Sequence, residues 1–331
     1  MADRTYLPTQ CLAKVRSCES ARRMVRIRMK QTPEKVRQHT VPKRYLKGFA
    51  KELPRLTQYD RKTGAAYPVS LNDASVCKRA YSIKDGDGIW DDSIENYFER
   101  VELEGCPVIE RLVVGQVPSH AERCALARYM ARQIQRGQDV AHAAKREAEK
   151  FKDKEFALRQ IRANEEIYVR KLGSRQKFEA ALRQFKERGT GVEIDEKAYL
   201  RPLILDTPPY AEIFADLAWR VEVAKHGFFV TSDRPVAIRR RGQPVNPHVV
   251  RINERGAELY FPLNLKCVLI ASDAPARERR RKVSAARVRE LNRITVINSY
   301  RFVFAPESSR DLDGLVKEHS GDRIQFDEMK W

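Results

Sequence analysis

The chain has 331 residues, 42% hydrophobic and 33% charged, which is enough to build a core as one large domain or two closely packed ones. No stretch approaches the roughly 20 apolar residues that a membrane-spanning helix needs, and the N-terminus lacks the apolar segment of a secretory signal. The formal net charge of +19 favours a polyanion partner, RNA or DNA before anionic membrane, with ordinary solubilising charge as the alternative.

Cysteine usage and motif content exclude several common classes. The six cysteines are scattered and form no Cys-x-x-Cys pair, which indicates free thiols in a reducing cytoplasm rather than disulfides or zinc ligands. The chain also lacks the glycine-rich, Walker, His-Glu-x-x-His and Gly-x-Ser-x-Gly motifs. Dinucleotide, P-loop, zincin and α/β-hydrolase chemistry are therefore disfavoured.

The positive charge is concentrated in two zones. Residues 1–62 contain 17 Lys and Arg against 5 Asp and Glu, and residues 239–301 contain 15 against 5. The first zone opens with an Arg-rich arm, residues 1–37, which we expect to be a poorly ordered extension or a segment that wraps nucleic acid.

The first structured segment runs from Gln38 to Phe49. Val41 precedes a proline and is biased to extended geometry, while Pro42 suits the first position of a short helix. His39 therefore stands just before a helix start, where it could meet a ligand, an anion or a catalytic partner. A hydrogen bond to a neighbouring loop is the alternative use of a lone histidine.

The next segment has the pattern of strands. Residues 56–60 and 66–70 flank Lys62-Thr63-Gly64, which predicts a hairpin whose glycine supplies a positive φ.

The middle of the chain is helical. Asp92 or Ser93 caps a helix that Pro107 ends or divides, and Ser119 to Glu122 form a capping box that starts a long one. Residues 138–189 consist mostly of helix formers with a thin apolar stripe, which predicts a projecting helical insertion broken near Ser174. Another helix is expected after residue 207, with apolar residues at helical spacing as far as residue 221.

Three glutamates on the first of these helices suggest a metal site. Glu95, Glu99 and Glu102 lie at i, i+4 and i+7 and share one side of the helix, at the edge of its buried face. Such carboxylates suit a hard divalent cation, Mg²⁺ or Mn²⁺, whose bound water could attack a phosphodiester. A solvated acidic face paired with arginines is the alternative.

The second helix carries an amide within its apolar stripe. Gln133 shares a face with Leu126, Tyr129 and Met130, and Arg136 lies at the edge of that face. The pair could hold a loop, a ligand phosphate or the glutamates of the neighbouring helix, or could simply brace the structure.

The C-terminal third returns to strands, at 227–231, 236–240, 258–262 and 266–271, followed by a helix near 284–293 and a strand at 301–304. Asp233 follows the first strand in Thr231-Ser232-Asp233-Arg234-Pro235. It either stabilises a turn through its backbone or acts as a metal ligand or general base at a strand end.

Two arginine runs in this third are candidates for phosphate contacts without sequence specificity. We expect them to be exposed, so that reversing their charge changes nucleic-acid binding but hardly changes stability. The residues are Arg239, Arg240, Arg241, Arg279, Arg280, Arg281 and Lys282.

Several motifs in order resemble the domain-of-unknown-function 4238 family, which occurs mostly in bacteria. They are the start Gln-His-x-Val-Pro-x-x-Tyr-Leu-x-x-Phe from Gln38, the segment from Leu56 to Gly64 leading to Arg79-Ala80-Tyr81, the Glu95/Glu102 helix followed by Gln133 and Arg136, and Phe229 to Val236 with its Ser-Asp-x-Pro. The resemblance runs from about Gln38 to Pro306 and implies no reaction. It does suggest a bacterial prophage or defence setting.

Together these patterns predict an α+β protein, with mixed or antiparallel sheet segments flanking a large central helical region. We expect one domain over 38–306 with the insertion at about 138–189, and a tail over 307–331. The leading functional interpretation is a metal-dependent nuclease in which His39, Glu95, Glu102 and Asp233 converge, with Glu95, Glu102 and Asp233 on the metal and Gln133 and Arg136 bracing them. The alternative is a non-catalytic nucleic-acid-binding or protein-interaction adaptor whose insertion contacts a partner.

Overall fold

A computed structural model describes residues 36–51, 54–84, 89–137, 146, 149–150, 153–188, 209–242, 256–274 and 279–321. The chain divides into two compact units, one of Met1–Thr32, Val140–Pro202 and Trp331, the other of Pro33–Asp139 and Leu203–Lys330. The basic arm expected over 1–37 lies outside the described residues except for its last two positions. The fold is α+β, as predicted, and no helix in the described ranges is long and apolar enough to cross a membrane.

The described strands of the larger unit form two main sheets and two short pairs. They are β1 (Arg37–His39), β2 (Arg55–Asp60), β3 (Ala65–Ser70), β4 (Val76–Lys78), β5 (Ile83–Lys84), β6 (Trp90–Asp91), β7 (Ala218–Ala224), β8 (Thr231–Ser232), β9 (Ala237–Arg240), β10 (Ala257–Asn264), β11 (Cys267–Ser272), β12 (Arg280–Val283) and β13 (Phe302–Ala305).

The helices are named in chain order across both units. They are α1 (Lys43–Leu46), α2 (Ser93–Val113), α3 (His120–Gln135), α4 (Lys154–Ala163), α5 (Glu165–Leu172), α6 (Arg175–Arg188), α7 (Pro209–Asp216), α8 (Ala285–Asn298) and α9 (Arg310–Glu318).

The five-stranded sheet has the order β12-β7-β11-β10-β9, antiparallel except for β12 on β7. One face carries Leu259, Phe261 and Leu269 into the main core with α2, α3 and α7. The other face packs against α8. Strand β7 was not expected from the sequence, because Val221 continued a helical spacing; α7 in fact ends at Asp216 and the following residues alternate across the sheet.

The four-stranded sheet has the order β3-β2-β13-β8. The predicted hairpin is confirmed: β2 and β3 pair antiparallel, and Gly64 in the turn has φ of 72°. On its other side β2 pairs with β13, so that Asp60 lies opposite Phe302. The buried guanidinium of Arg61 donates to the carbonyls of Val296, Ile297 and Ser299 at the end of α8, and its Nε donates to the His319 carbonyl.

Helices α2 and α3 pack closely because α2 has a glycine at their crossing. A Cβ built on Gly105 would lie 2.6 Å from the Cβ of Tyr129. The capping box at Ser119 is present as predicted. Pro107 does not end α2, contrary to one expectation: the carbonyl that loses its helical partner belongs to Leu103, which is on the exposed side, while Cys106 and Ile109 continue the buried stripe.

The segment expected to be a tail after residue 306 contains α9. Leu312 and Val316 are buried against Tyr59 of β2 and Val303 of β13. The Tyr59 hydroxyl donates to Asp313 at 2.8 Å. This helix therefore completes the outer layer of the four-stranded sheet.

The described part of the smaller unit is helical. Gly173, with φ of 81°, ends α5 next to the predicted break at Ser174. Phe178 and Leu182 of α6 are buried, the Phe178 ring stacks on Tyr168, and Arg162 of α4 pairs with Glu179 of α6 at 2.7 Å.

Candidate active site around His39

The segment that carries His39 is held between two neighbouring turns. Strand β1 pairs antiparallel with β4, with His39 opposite Val76. The side chain of the preceding residue, Gln38, is fully buried; its Nε2 donates to Ser82 Oγ at 2.7 Å and its Oε1 accepts from the Tyr81 amide at 2.6 Å. Pro42 immediately precedes α1, one position earlier than predicted, so three residues separate His39 at the end of β1 from the helix start at Lys43.

The imidazole of His39 is half-buried and has a defined tautomer. Nδ1 lies 3.1 Å from the carbonyl oxygen of Ala74. Because a carbonyl can only accept, Nδ1 must carry the proton, and Nε2 of the neutral ring carries the lone pair. Burial lowers the pKa of His39, against smaller opposing effects of the Ala74 carbonyl and of Glu102, so the ring is neutral at pH 7. Nε2 makes no hydrogen bond within the described part of the chain.

A buried ion pair lies directly behind His39. Arg136, at the end of α3, donates from Nη1 to Glu102 Oε1 at 2.6 Å and from Nη2 to the backbone carbonyl of His39. Its side chain is 2% exposed and that of Glu102 is 21% exposed. Burial acts to lower the pKa of Arg136, but Tyr81 and Glu102 raise it above its usual value, so the guanidinium stays charged. The pair therefore links α2, α3 and β1, as the sequence suggested for Arg136.

Tyr81 is part of the same cluster and was not predicted as a site residue. Its hydroxyl donates to the carbonyl of Arg136 at 2.8 Å, and its ring stacks edge-on against Phe98. Burial raises the pKa of Tyr81 to about 12, and the charge of half-buried Glu95 adds to that effect. The Arg-Ala-Tyr segment in the sequence was the available signal, but nothing in its spacing showed that it meets α3.

Gln133 is buried, as its place in the apolar stripe predicted. No described residue bonds to its Oε1. Arg136, one turn later, makes the contacts to the loop and to Glu102 that were expected of the two residues together. The Gln133 oxygen therefore does not hold the cluster through hydrogen bonds to the described residues.

Charged residues at the rim of the cluster were also missed. Lys43, in the first turn of α1, is exposed; its charge and that of Arg136 act on His39 to lower the pKa, and its Nζ donates to the Asn72 side chain. Arg37 donates to Asp73 at 2.6 Å. Basic residues on both sides of His39 in the sequence were the signal for this positive rim.

Asp233 does not join His39 and Glu102 in a site. Its two carboxylate oxygens accept the backbone N–H groups of Tyr300, Arg301 and Phe302 at 2.8, 2.8 and 2.9 Å. Ser232 Oγ donates to the Arg234 carbonyl at 2.9 Å, which closes the turn. The local turn is therefore closed by Ser232, whereas the Asp233 carboxylate anchors the distant segment that leads into β13.

The three carboxylates predicted to bind a metal are not assembled. Within the described ranges, no three His, Cys, Asp or Glu side chains are placed to hold a metal ion. Glu95 and Glu102 share one face of α2, but seven residues of helix separate their Cα atoms by about 10 Å. Glu102 is in addition paired with Arg136.

The arginine runs are engaged in the fold to a degree that the sequence did not reveal. Glu222 of β7 is fully buried and accepts from Arg281 at 2.5 Å and from Arg287 at 2.9 Å. Burial alone would raise the pKa of Glu222, but these arginines hold it below its usual value.

The same holds for the second buried carboxylate, on β10. Glu258 accepts from Arg241 at 3.0 Å and pairs with Arg239 at 3.7 Å. Arg280 donates to the carbonyls of Leu112 and Val113 and so caps α2. All members of the two runs are exposed, as expected, except half-buried Arg239. The expectation that charge reversal hardly changes stability stays a prediction, and the contacts of Arg239, Arg241, Arg280 and Arg281 argue against it at those positions.

An open groove of about 580 Å³ lies elsewhere in the larger unit. It is lined by Arg123 of α3 and by Asp216 and Asp273 at the ends of α7 and β11. None of its lining residues belongs to the His39 cluster, which is a surface cluster backed by a buried ion pair.

Comparison with known proteins gives one match. A family model described as protein of unknown function (DUF4238) matches residues 37–309, well over half of the chain. No curated protein and no solved structure matches. The match begins at β1 and ends at the cap of α9, so it includes every residue of the His39 cluster. The chain belongs to the DUF4238 family.

Proposed function

We propose that the protein acts on nucleic acid and hydrolyses a phosphodiester bond, with His39 as the general base. The observation that supports this best is the state of the imidazole. It is neutral, its Nδ1–H is fixed by a backbone carbonyl, and its Nε2 lone pair is directed away from that contact. A general base at neutral pH needs these properties.

In this reaction Nε2 of His39 removes a proton from the attacking water. The water oxygen bonds to phosphorus while the bond from phosphorus to the leaving oxygen breaks. The leaving oxygen takes up a proton from solvent, and the imidazolium returns its proton to solvent. The carboxylate of Glu102 lies close enough to act on His39 through its charge, so it stabilises the imidazolium that forms. Arg136 is too buried to touch a substrate and acts by holding Glu102 and the His39 carbonyl.

The rim of the cluster supports nucleic acid as the substrate class. Lys43 and Arg37 are exposed and flank His39, where they can contact phosphates of an extended chain. The cluster lies at the surface and shares no residue with the groove near Arg123, which favours a substrate that lies across the surface over a small molecule held in a cavity. The chain's net charge of +19 adds long-range attraction.

The proposal includes a divalent cation that is held by one carboxylate of the cluster instead of the three carboxylates expected from the sequence. Mg²⁺ is often held by one or two carboxylates, with substrate phosphates and water completing its shell. Partly exposed Glu102 is the carboxylate of the cluster that could contribute in this way.

The test is a cleavage assay on the full chain with plasmid, single-stranded DNA and RNA, in EDTA, Mg²⁺ or Mn²⁺. We expect His39→Gln to reduce cleavage about 100-fold or more, the lower range for loss of a general base. The matched control is His120→Gln, at the exposed start of α3, which should cleave like wild type. Equal cleavage by both variants would mark the activity as a contaminant and refute the proposal.

A second candidate is a nucleic-acid-binding module without catalysis. Asp233 favours this candidate, because a carboxylate in one of the family-like motifs accepts backbone amides before β13 and so has a structural role. In that case wild type and His39→Gln bind oligonucleotides equally, neither cleaves, and a Lys43→Glu change weakens binding and its dependence on salt.

A further inference from the structure

The carbonyl that fixes His39 belongs to a turn with an unusual backbone. Ser75, directly after Ala74, has φ of 58°. This is the left-handed region, which residues other than glycine, asparagine and aspartate seldom adopt. Such outliers persist only when the surroundings enforce them.

Thr40, directly after His39, enforces this conformation. Its backbone N–H donates to the Ser75 carbonyl at 2.8 Å, and its hydroxyl lies 2.5 Å from the Ser75 hydroxyl. The amide of Val41 also donates to Ser75 Oγ, at 3.1 Å. Both side chains are buried, so water does not replace these bonds when they break.

The sign of φ at Ser75 decides which group faces the imidazole. When the peptide plane between Ala74 and Ser75 rotates, ψ of the first residue and φ of the second change together, and the carbonyl and the N–H exchange places. With φ positive, the Ala74 carbonyl meets Nδ1. With φ negative, the Ser75 N–H would point there and donate to Nδ1, and the proton would move to Nε2.

We infer that Thr40 and Ser75 are positioning residues that select the basic nitrogen of His39 by locking the 74–75 peptide plane. Neither side chain bonds to the imidazole. The choice of Nε2 as the basic nitrogen matters for catalysis only if the proposed function holds. The tautomer itself is a property of the folded chain and can be measured without an activity. The charged groups that act on the ring are Glu102, Lys43, Arg136 and Asp73. Glu102, Lys43 and Arg136 lie on α2, on α1 and at the end of α3, outside the 74–75 peptide, whereas Asp73 directly precedes it.

The test is ¹⁵N NMR of the full chain labelled at histidine, with the His39 signals assigned by their loss in His39→Gln. In wild type at pH 8 we expect Nδ1 to be protonated and Nε2 to be unprotonated. Ser75→Val disfavours positive φ and should move the proton to Nε2, while Ser75→Gly tolerates positive φ and should keep the wild-type pattern. Thr40→Val removes the buried hydroxyl and should populate both tautomers.

The matched control is Thr295→Val in α8, a buried threonine whose hydroxyl bonds to the Leu291 carbonyl, and it should leave the His39 signals unchanged.

A protonated Nε2 in wild type would overturn the inference, as would wild-type signals in folded Thr40→Val. If Ser75→Val does not fold, Thr40→Val decides. If the expected tautomers appear but wild type cleaves no nucleic acid, the inference stands and the proposed function fails. If wild type cleaves, Thr40→Val should lose about tenfold or more and shift the pH profile.

Discussion

Replacing Asp233 with asparagine tests whether this residue anchors the fold. One oxygen of the carboxylate accepts the Tyr300 amide, and the other accepts the amides of Arg301 and Phe302. Asparagine keeps one acceptor and turns an NH₂ group towards the other one or two N–H groups. Hydrogen bonds to a charged group contribute about 1.5–3 kcal/mol each. Losing one or two of the three predicts that the free energy of unfolding falls by about 1.5–6 kcal/mol.

The measurement is urea unfolding followed by tryptophan fluorescence, since Trp90 and Trp219 both lie in the larger unit. The matched control is Asp311→Asn, whose exposed carboxylate contacts Arg289 at 3.6 Å and should change stability by less than about 0.5 kcal/mol. A loss of less than about 1 kcal/mol for Asp233→Asn would refute the reasoning. It would also reopen a direct role for this carboxylate in chemistry.

Three further predictions concern packing and charge. Arg287→Gln removes a partner of the buried Glu222 of β7 and should lower the free energy of unfolding in urea by about 2–4 kcal/mol. The control, Arg289→Gln, changes an exposed arginine and should leave the free energy of unfolding nearly unchanged. Equal losses in the two variants would contradict the burial argument. Gly105→Ala should cost at least about 1–3 kcal/mol by forcing α2 away from α3, whereas Gly314→Ala in α9, with open space around it, should stabilise by about 0.5–1 kcal/mol; melting temperatures decide both. In the folded protein the pKa of His39 is below its unfolded value of 6.5, so on acidification the unfolded state takes up the proton first. The neutral imidazole therefore contributes to the free energy of unfolding in full above pH 6.5. This contribution is lost as the pH falls through the folded pKa. Wild type should therefore lose stability relative to His39→Gln as the pH is lowered from 7 to 5, and a parallel pH dependence of the two proteins would disprove it.

Local features of the fold could be predicted from the sequence where short-range chemistry decides them. The β2–β3 hairpin follows from a glycine between two alternating runs, and α3 begins at its capping box. Strand β7 was missed because apolar residues at helical spacing ran on past the end of α7. These residues form a strand because they pair with β11 and β12, which lie far along the chain and cannot be inferred from the local sequence.

The candidate site was predictable only in part, for the same reason. His39, Glu102 and Arg136 were identified from their residue types and do meet. The groups that determine their chemistry are the Ala74 carbonyl and the left-handed Ser75, and neither has a signal in residue type or spacing. Asp233 was assigned to the metal site because the sequence pattern is the same for a carboxylate that anchors backbone amides at a strand end and for one that binds a metal or acts as a base.

The pairing of β2 with β13 has a consequence for synthesis of the protein. Asp60 is made early, but its partner Phe302 is made near the end of the chain. At about 5–20 residues per second, the ribosome needs on the order of tens of seconds to make the intervening segment. Until then the β2–β3 hairpin exposes an unpaired strand edge, which is a template for association with other chains. The yield of folded protein should therefore depend on protection of this edge during synthesis, in addition to the stability of the finished fold.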